Sequence, residues 1–291
     1  MLKICVMGLG YVGLPVALGV SKKFNTVAYD INTKRVKELQ NNFDSNNEFS
    51  KKSFRGKKIL FTSYFDDIKS CNFFIICVPT PTKKNKLPDL SSIDKCISKI
   101  SKIIKKNDII VLESTVYPGV THACSFKIEK KTKFKKNRDF YMCYSPERIN
   151  PGDNQKKIDQ IEKVFAIETN KKMILKNVIN VYRLISKKII FSKNIKEAET
   201  AKAIENTQRD LNIALFNELL MFSYKLQLNY KEIISLASTK WNFIKFKPGL
   251  VGGHCLPVDP YYLSYVASKK KFNTKTLLAG RNKNNGTKNF V

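Results

Sequence analysis

Long apolar runs, histidines, paired cysteines and acidic side chains are all scarce in this 291-residue sequence. The apolar stretches, such as Phe73 to Val78, fall far short of the roughly 20 residues that a bilayer-spanning helix needs, so no membrane partner is expected. At the N-terminus the apolar residues Ile4, Cys5, Val6 and Met7 are interrupted at once by Gly8 and Gly10. They read as a first strand rather than an export signal, which predicts a cytoplasmic location. Only two histidines occur, His122 and His254, and the cysteines at 5, 71, 77, 96, 124, 143 and 255 include no Cys-X-X-Cys pair. No zinc spacing results, and no metal is expected. An odd number of scattered cysteines, several inside apolar runs, fits free thiols in a reducing compartment better than a disulfide framework.

Acid is outnumbered 24 to 53 by Lys and Arg, for a formal net charge of +29. Such a balance suits a nucleic-acid binder. Yet 46 of the 53 basic residues are lysines, spread over surface-type segments such as Lys51-Lys52, Lys83-Lys84, Lys105-Lys106 and the run from Lys130 to Arg138. No helix gathers them into a stripe, so the charge reads as a solvated surface and no nucleic-acid partner is expected. A basic field would still draw an anionic substrate inward. Hydrophobic content of 43% and charged content of 26% suit a folded chain of one large or two ordinary domains.

Residues 2 to about 115 alternate strand-like and helix-like segments: strands at Lys3–Met7, Thr26–Tyr29, Phe73–Val78 and Ile109–Leu112, with helical spacing at Val12–Phe24, from Lys34 and at Ser91–Ile104. This alternation predicts a parallel sheet covered on both faces. After one more strand at Phe140–Tyr144, helix dominates. Its longest segment runs from about Ile195 to Leu228, with Ala198, Ala201, Ile204, Leu211, Leu215, Leu219, Phe222 and Leu226 as an apolar stripe. The last thirty or so residues are expected to hold one short helix and a polar, lysine- and asparagine-rich end.

Gly8-Leu9-Gly10-Tyr11-Val12-Gly13 follows a strand and opens a helix, the context a dinucleotide fingerprint requires. The first glycine permits the tight turn, the second lets backbone approach a pyrophosphate, and the third allows close helix–strand packing. Asp30, at the end of the second strand, can accept from ribose hydroxyls and repel a 2′-phosphate, so NAD is expected over NADP, with Lys34 and Arg35 nearby as a counterweight.

On the long helix, Lys202, Asn206 and Arg209 are four and three residues apart and so share a face. A solvated polar face is the ordinary outcome of such a trio; the other reading is a lysine and an amide donor that together hold a developing alkoxide. The segment from Phe246 to Pro260 contains Gly252-Gly253-His254-Cys255 and, four residues later, Asp259. Free cysteine is usually buried and inert. The polar, turn-rich setting of Cys255 instead favours a thiolate.

Taken together, the chain resembles the UDP-glucose/GDP-mannose dehydrogenases over essentially its whole length. The resemblance lies in residues 8–13, Cys-Val-Pro-Thr-Pro at 77–81, Ser-Thr at 114–115, Ser-Pro-Glu-Arg at 145–148, Lys202 with Asn206, and Gly-Gly-His-Cys at 252–255. It implies an α/β fold: an N-terminal Rossmann-type doubly wound sheet over residues 1–192, then a mostly helical central and dimerisation domain over 193–291. It also implies two NAD⁺-dependent oxidations at C6 of a UDP-sugar, with Cys255 carrying a thiohemiacetal and then a thioester. Lys202 and Asn206 would stabilise oxyanions, Asp259 would position or activate water, and Glu147 with Thr115 would handle water near the nicotinamide. NAD contacts fall to Gly8, Gly10, Tyr11, Val12, Gly13, Asp30, Arg35, Thr80 and Thr115. Sugar-nucleotide contacts fall to Arg148, Ile149, Lys202, Asn206, Arg209 and Gly252. The phrases at 145–152, 205–219 and 240–263 most resemble the branch acting on UDP-N-acetylhexosamines, for surface polysaccharide. Pro151 stands where UDP-glucose-oxidising relatives often carry a second glutamate, which tells against UDP-glucose as the substrate.

Relatives usually continue with a further α/β domain that holds much of the uridine diphosphate, whereas this sequence stops at Val291, and Phe165 to Phe191 also departs from the family's glycine-rich pattern. The corresponding expectation is that this chain alone binds NAD but oxidises UDP-sugars poorly or not at all, with a separately encoded C-terminal partner or a truncated gene product as the setting. The resemblance further implies a homodimer through the long helix. The competing readings are a β-hydroxyacid dehydrogenase, which needs no nucleophilic cysteine, and an inactive NAD-binding or assembly subunit.

Overall fold

A strand buried on both faces sends alternate side chains to two cores. In β1 (Lys3–Met7), Ile4 and Val6 join one core while Cys5 and Met7 join the other. The same division runs through β2 (Asn25–Tyr29), β4 (Phe73–Ile76), β5 (Asp108–Leu112) and β6 (Phe140–Tyr144). These elements come from a computed structural model that describes residues 2–148, 160–253 and 256–290.

Between the strands lie α1 (Gly13–Val20), α2 (Thr33–Gln40), α3 (Ser91–Ser101) and α4 (Val120–Lys131), with β3 (Ile59–Thr62) at the sheet edge. The order is β3-β2-β1-β4-β5-β6-β7-β8, and β1 to β6 pair in parallel. Strand order reverses between β1 and β4, the switch point at which such sheets bind ligands outside their carboxyl ends. The α1 side of the core also takes in Ile174, Val178, Val181 and Tyr182 of α5 (Lys172–Tyr182), while α3 and α4 cover the other face.

The sheet departs from the sequence reading beyond β6. β7 (Glu162–Ile167) runs antiparallel to β6, and β8 (Lys188–Ser192) parallel to β7, so a region that looks worn as sequence completes an eight-stranded sheet. The chain divides into two compact units, 1–80 with 89–199 and 81–88 with 200–291, so the division falls inside α6 (Ile195–Lys225).

The second unit adds α7 (Tyr230–Ala237), α8 (Asp259–Lys269) and α9 (Lys275–Thr287). Where the sequence reading gives one short helix and a polar end, the polar end is itself helical. Its inner face is hydrogen-bonded rather than apolar, which apolar periodicity cannot detect. Arg281 and Asn284 of α9 are buried, and both bond Asp210 of α6, Asn284 at 2.8 Å. Asn217 donates from its amide nitrogen to Asn284 Oδ1 (2.9 Å) and to the Gly249 carbonyl (3.0 Å), and its Oδ1 accepts from Gly249 N–H (2.7 Å). The buried side of α6 thus reads Ala203, Thr207, Asp210, Ala214 and Asn217, whereas Ile204, Leu215, Phe222 and Leu226 of the expected apolar stripe are exposed. Among the described residues, no helix is long and apolar enough to cross a membrane.

Candidate active site

The loops after β1, β4, β5 and β6 share the carboxyl edge of the sheet, because these strands are parallel. The glycines of the first loop have distinct physical causes. Gly8 has φ +94°, and a Cβ there would lie 2.8 Å from the Cys77 carbonyl oxygen. At Gly13 a Cβ would meet Gly8 O at 1.7 Å, an impossible approach. Gly10 has nothing within 4 Å of its would-be Cβ, so backbone there faces open space that a ligand can enter.

Asp30 holds this loop through Oδ2, which accepts from Leu9 N–H (2.7 Å), while Oδ1 accepts from Asn32 N–H (2.9 Å). Arg35 is buried and engaged: Nε donates to the Leu9 carbonyl (3.0 Å) and Nη2 to Asp44 Oδ1 (2.7 Å). Asp44 in turn accepts from the backbone N–H groups of Asn46, Glu48 and Phe49. A guanidinium already neutralised in this way is a poor receiver for a 2′-phosphate. The residues present therefore fit NAD: an open glycine turn, a carboxylate at the end of β2 and a committed arginine.

Tyr11 is exposed and Val12 partly so. Thr80 Oγ1 donates to the Thr115 carbonyl (2.7 Å), and Ser114 Oγ donates to the Val78 carbonyl (2.6 Å), which ties the loops after β4 and β5 together. The first unit also holds a cluster of buried charge that sequence reasoning missed apart from Glu147. Lys163 Nζ contacts Glu113 Oε2 at 2.7 Å and Glu147 Oε2 at 2.8 Å, and Tyr182 donates its hydroxyl to Glu113 Oε1 at 2.7 Å. Glu147 Oε1 accepts from Arg148 N–H at 2.6 Å. Burial pushes the Glu113 carboxyl up, against the pull of Lys163. The available signals were a lysine heading the apolar run Val164–Ile167 and a glutamate directly after the strand at 108–112.

In the second unit, α6 and α8 bring Asn206 and Asp259 together: Asn206 Nδ2 donates to Asp259 Oδ2 at 2.5 Å. Asp259 is 1% exposed, and burial pushes its carboxyl up to about 7, with the Asn206 bond and the Lys202 charge pulling the other way. Lys202 is buried on the same helix, whereas Arg209 and Gly252 are exposed. Gly253 has φ +81°, which only glycine adopts easily. His254 and Cys255, like Ile149 and Pro151, lie outside the described residues. The six described cysteines are all buried, and burial pushes the thiols of Cys96 and Cys124 up to about 12, unsuited to nucleophilic work.

Residues 2–186 match the NAD binding domain of the UDP-glucose/GDP-mannose dehydrogenase family, and residues 196–286 match that family's central domain. The chain is 44% identical over 293 residues to a UDP-N-acetyl-D-glucosamine 6-dehydrogenase of Pseudomonas aeruginosa, covering 100% of this chain and 69% of that protein. It is also 44% identical over 290 residues to protein CapL of Staphylococcus aureus, covering 99% of this chain and 68% of that one. Among solved structures, a UDP-D-ManNAc dehydrogenase from Pyrococcus horikoshii superposes with a TM-score of 0.90 at 32% identity, over 99% of this chain and 69% of the other. On these matches, which span both of its units, the chain belongs to the UDP-glucose/GDP-mannose dehydrogenase family.

Proposed function

We propose that this chain oxidises the C6 hydroxyl of a UDP-N-acetylhexosamine to the uronic acid, for surface polysaccharide synthesis. The observation that carries the reading is the grouping of Lys202, Asn206 and buried Asp259 in the second unit, three polar residues on neighbouring helices where a solvated face would leave them apart. Similarity to a relative named for UDP-N-acetyl-D-glucosamine supports the substrate class.

NAD⁺, when bound, supplies the hydride acceptor for each of the two oxidations. Gly8, Gly10 and Gly13 would make room for its pyrophosphate, Asp30 would accept from its ribose, and Tyr11, Val12, Thr80 and Thr115 would line its path, while Arg35 holds the loop. Lys202 and Asn206 stabilise the oxyanion that develops at C6 by charge and by amide hydrogen bond. The Cys255 thiolate adds to the aldehyde carbon to give a thiohemiacetal, which is oxidised to a thioester. Water then attacks the thioester carbonyl, the carbon–sulfur bond breaks, and the thiolate leaves. Asp259 helps position that water, and Glu147, with Thr115, accepts its proton. Arg148, Ile149, Arg209 and Gly252 hold the sugar nucleotide.

The exposed apolar residues Ile204, Leu215, Phe222 and Leu226 of α6 support a homodimer through that helix. Incubation with NAD⁺ and a panel of UDP-sugars tests the reaction. At high protein concentration, slow NADH and uronate formation from a UDP-N-acetylhexosamine is expected, and a clear preference for UDP-glucose, or no NADH from any sugar, would refute the proposal.

A further inference from the structure

The functional reading uses Glu147 but leaves its buried neighbours without a role. Lys163 is 0% exposed and Glu113 1%, an expensive place for an ammonium and a carboxylate. If ion pairing between Lys163 and Glu113 were the whole purpose, one carboxylate would be enough. Instead Lys163 Nζ sits between two, 2.7 Å from Glu113 and 2.8 Å from Glu147. Tyr182 donates to the oxygen of Glu113 that Lys163 does not contact. Glu113 is thereby fixed as an acceptor on both oxygens, one of which anchors Lys163.

The other titratable groups around the cluster contribute no charge. Burial, and then the charge of Glu113, pushes the Tyr182 hydroxyl well above its usual range. Burial likewise pushes the Cys77 thiol, after β4, and the Cys143 thiol, in β6, far up. Lys163 reaches Glu147 from β7 at 2.8 Å, and the Arg148 backbone N–H donates to the other Glu147 oxygen at 2.6 Å.

We infer that Lys163 is a positioning residue: clamped by Glu113 and Tyr182, its ammonium keeps the Glu147 carboxylate ionised, so that Glu147 can accept the proton of the attacking water. The use made of Glu147 rests on the functional reading above; the control of its charge by Lys163 does not. In the step concerned, the water O–H bond breaks, oxygen bonds to the thioester carbon, the proton passes to a Glu147 oxygen, and the electron pair of the carbon–sulfur bond leaves with sulfur. A Glu147 that already carries a proton has no capacity for this.

Two readouts test the inference on the full chain. Infrared spectroscopy of the substrate-free protein at neutral pH reports protonated carboxyl groups directly. In a Glu113→Gln background, which removes the carboxyl that burial already raises, Lys163→Met should gain one protonated-carboxyl band absent from the background alone and from its Lys163→Arg form, and adding Glu147→Gln should remove it. Lys163→Gln in the same background carries the same expectation and is used where Lys163→Met does not fold. A band that survives Glu147→Gln, or no new band in a folded variant, overturns the inference. In turnover, the acidic limb of the kcat profile should rise by at least about one pH unit in Lys163→Met, a tenfold loss of the ionised form at a given pH. Lys163→Arg should restore the limb, and an unshifted limb overturns the inference. Absence of turnover in the wild type would count against the functional reading alone, because the infrared measurement needs no substrate.

Discussion

Replacing Asp259 by Asn removes a carboxyl whose titration the fold has displaced. Burial raises it from 3.8 to about 7. The unfolded chain releases this proton near pH 4 and the folded chain near 7, so between these values the folded state holds one proton more. For an acid shifted upward, stability is therefore lost as pH rises through that window, and the penalty is complete above about 7. A shift of roughly three units corresponds to at most about 4 kcal/mol. Asp259→Asn escapes the penalty and can still accept from Asn206 through its amide oxygen. The difference in unfolding free energy, variant minus wild type, should become more positive by up to about 4 kcal/mol between pH 4 and pH 8. Urea unfolding followed by circular dichroism at several pH values measures it, and subtraction cancels every other titrating group. A pH-independent difference would refute the claim that this carboxyl is destabilised by burial.

Other perturbations have equally direct outcomes. Lys202→Ala should lower kcat by about 10²–10³-fold while leaving NAD affinity intact, as measured by steady-state rates alongside calorimetric NAD⁺ binding. Gly13→Ala places a methyl group 1.7 Å from the Gly8 carbonyl oxygen, so NAD⁺ binding should be lost together with at least about 1–3 kcal/mol of stability. Asp44→Ala removes the shorter of two carboxylate contacts to Arg35 and leaves Glu38 at 3.7 Å, for a loss of about 1–3 kcal/mol in urea unfolding and a narrower preference for NAD⁺ over NADP⁺ in competition binding. Leu215→Glu with Phe222→Glu puts charge on the exposed apolar face of α6, and sedimentation should then show monomers where the parent chain shows dimers.

The central strands were legible because burial on both faces leaves continuous apolar runs. Lys3–Met7 and Phe140–Tyr144 read as strands from sequence and have the same limits in the fold. The first glycine turn was legible because steric necessity restricts Gly8 and Gly13 to one residue type. What escaped was structure built on polar burial. α9 contains Arg281, Asn284 and Thr287 on its inner face, so its sequence looks like a solvated tail although all three are buried. β7 opens with Glu162 and Lys163, and nothing in sequence announces that Lys163 is enclosed by Glu113, Glu147 and Tyr182 from three other segments. On α6 the apolar stripe was visible but its orientation was not, since Asp210 and Asn217 face inward while Leu215 and Phe222 face out. Spacing alone put Lys202 and Asn206 on one face; that Asn206 would meet Asp259, 53 residues later, depends on packing of α8 that no local pattern encodes.

The most direct test of the proposed chemistry is the ratio of NADH to uronate formed from a UDP-N-acetylhexosamine at high protein concentration, with Cys255→Ser measured in parallel. The ratio is independent of how fast the chain turns over. Two NADH per uronate in the wild type, and no uronate from the serine variant, is the predicted result. One NADH per molecule of product, or two from the serine variant, would contradict oxidation through a cysteine-bound acyl group.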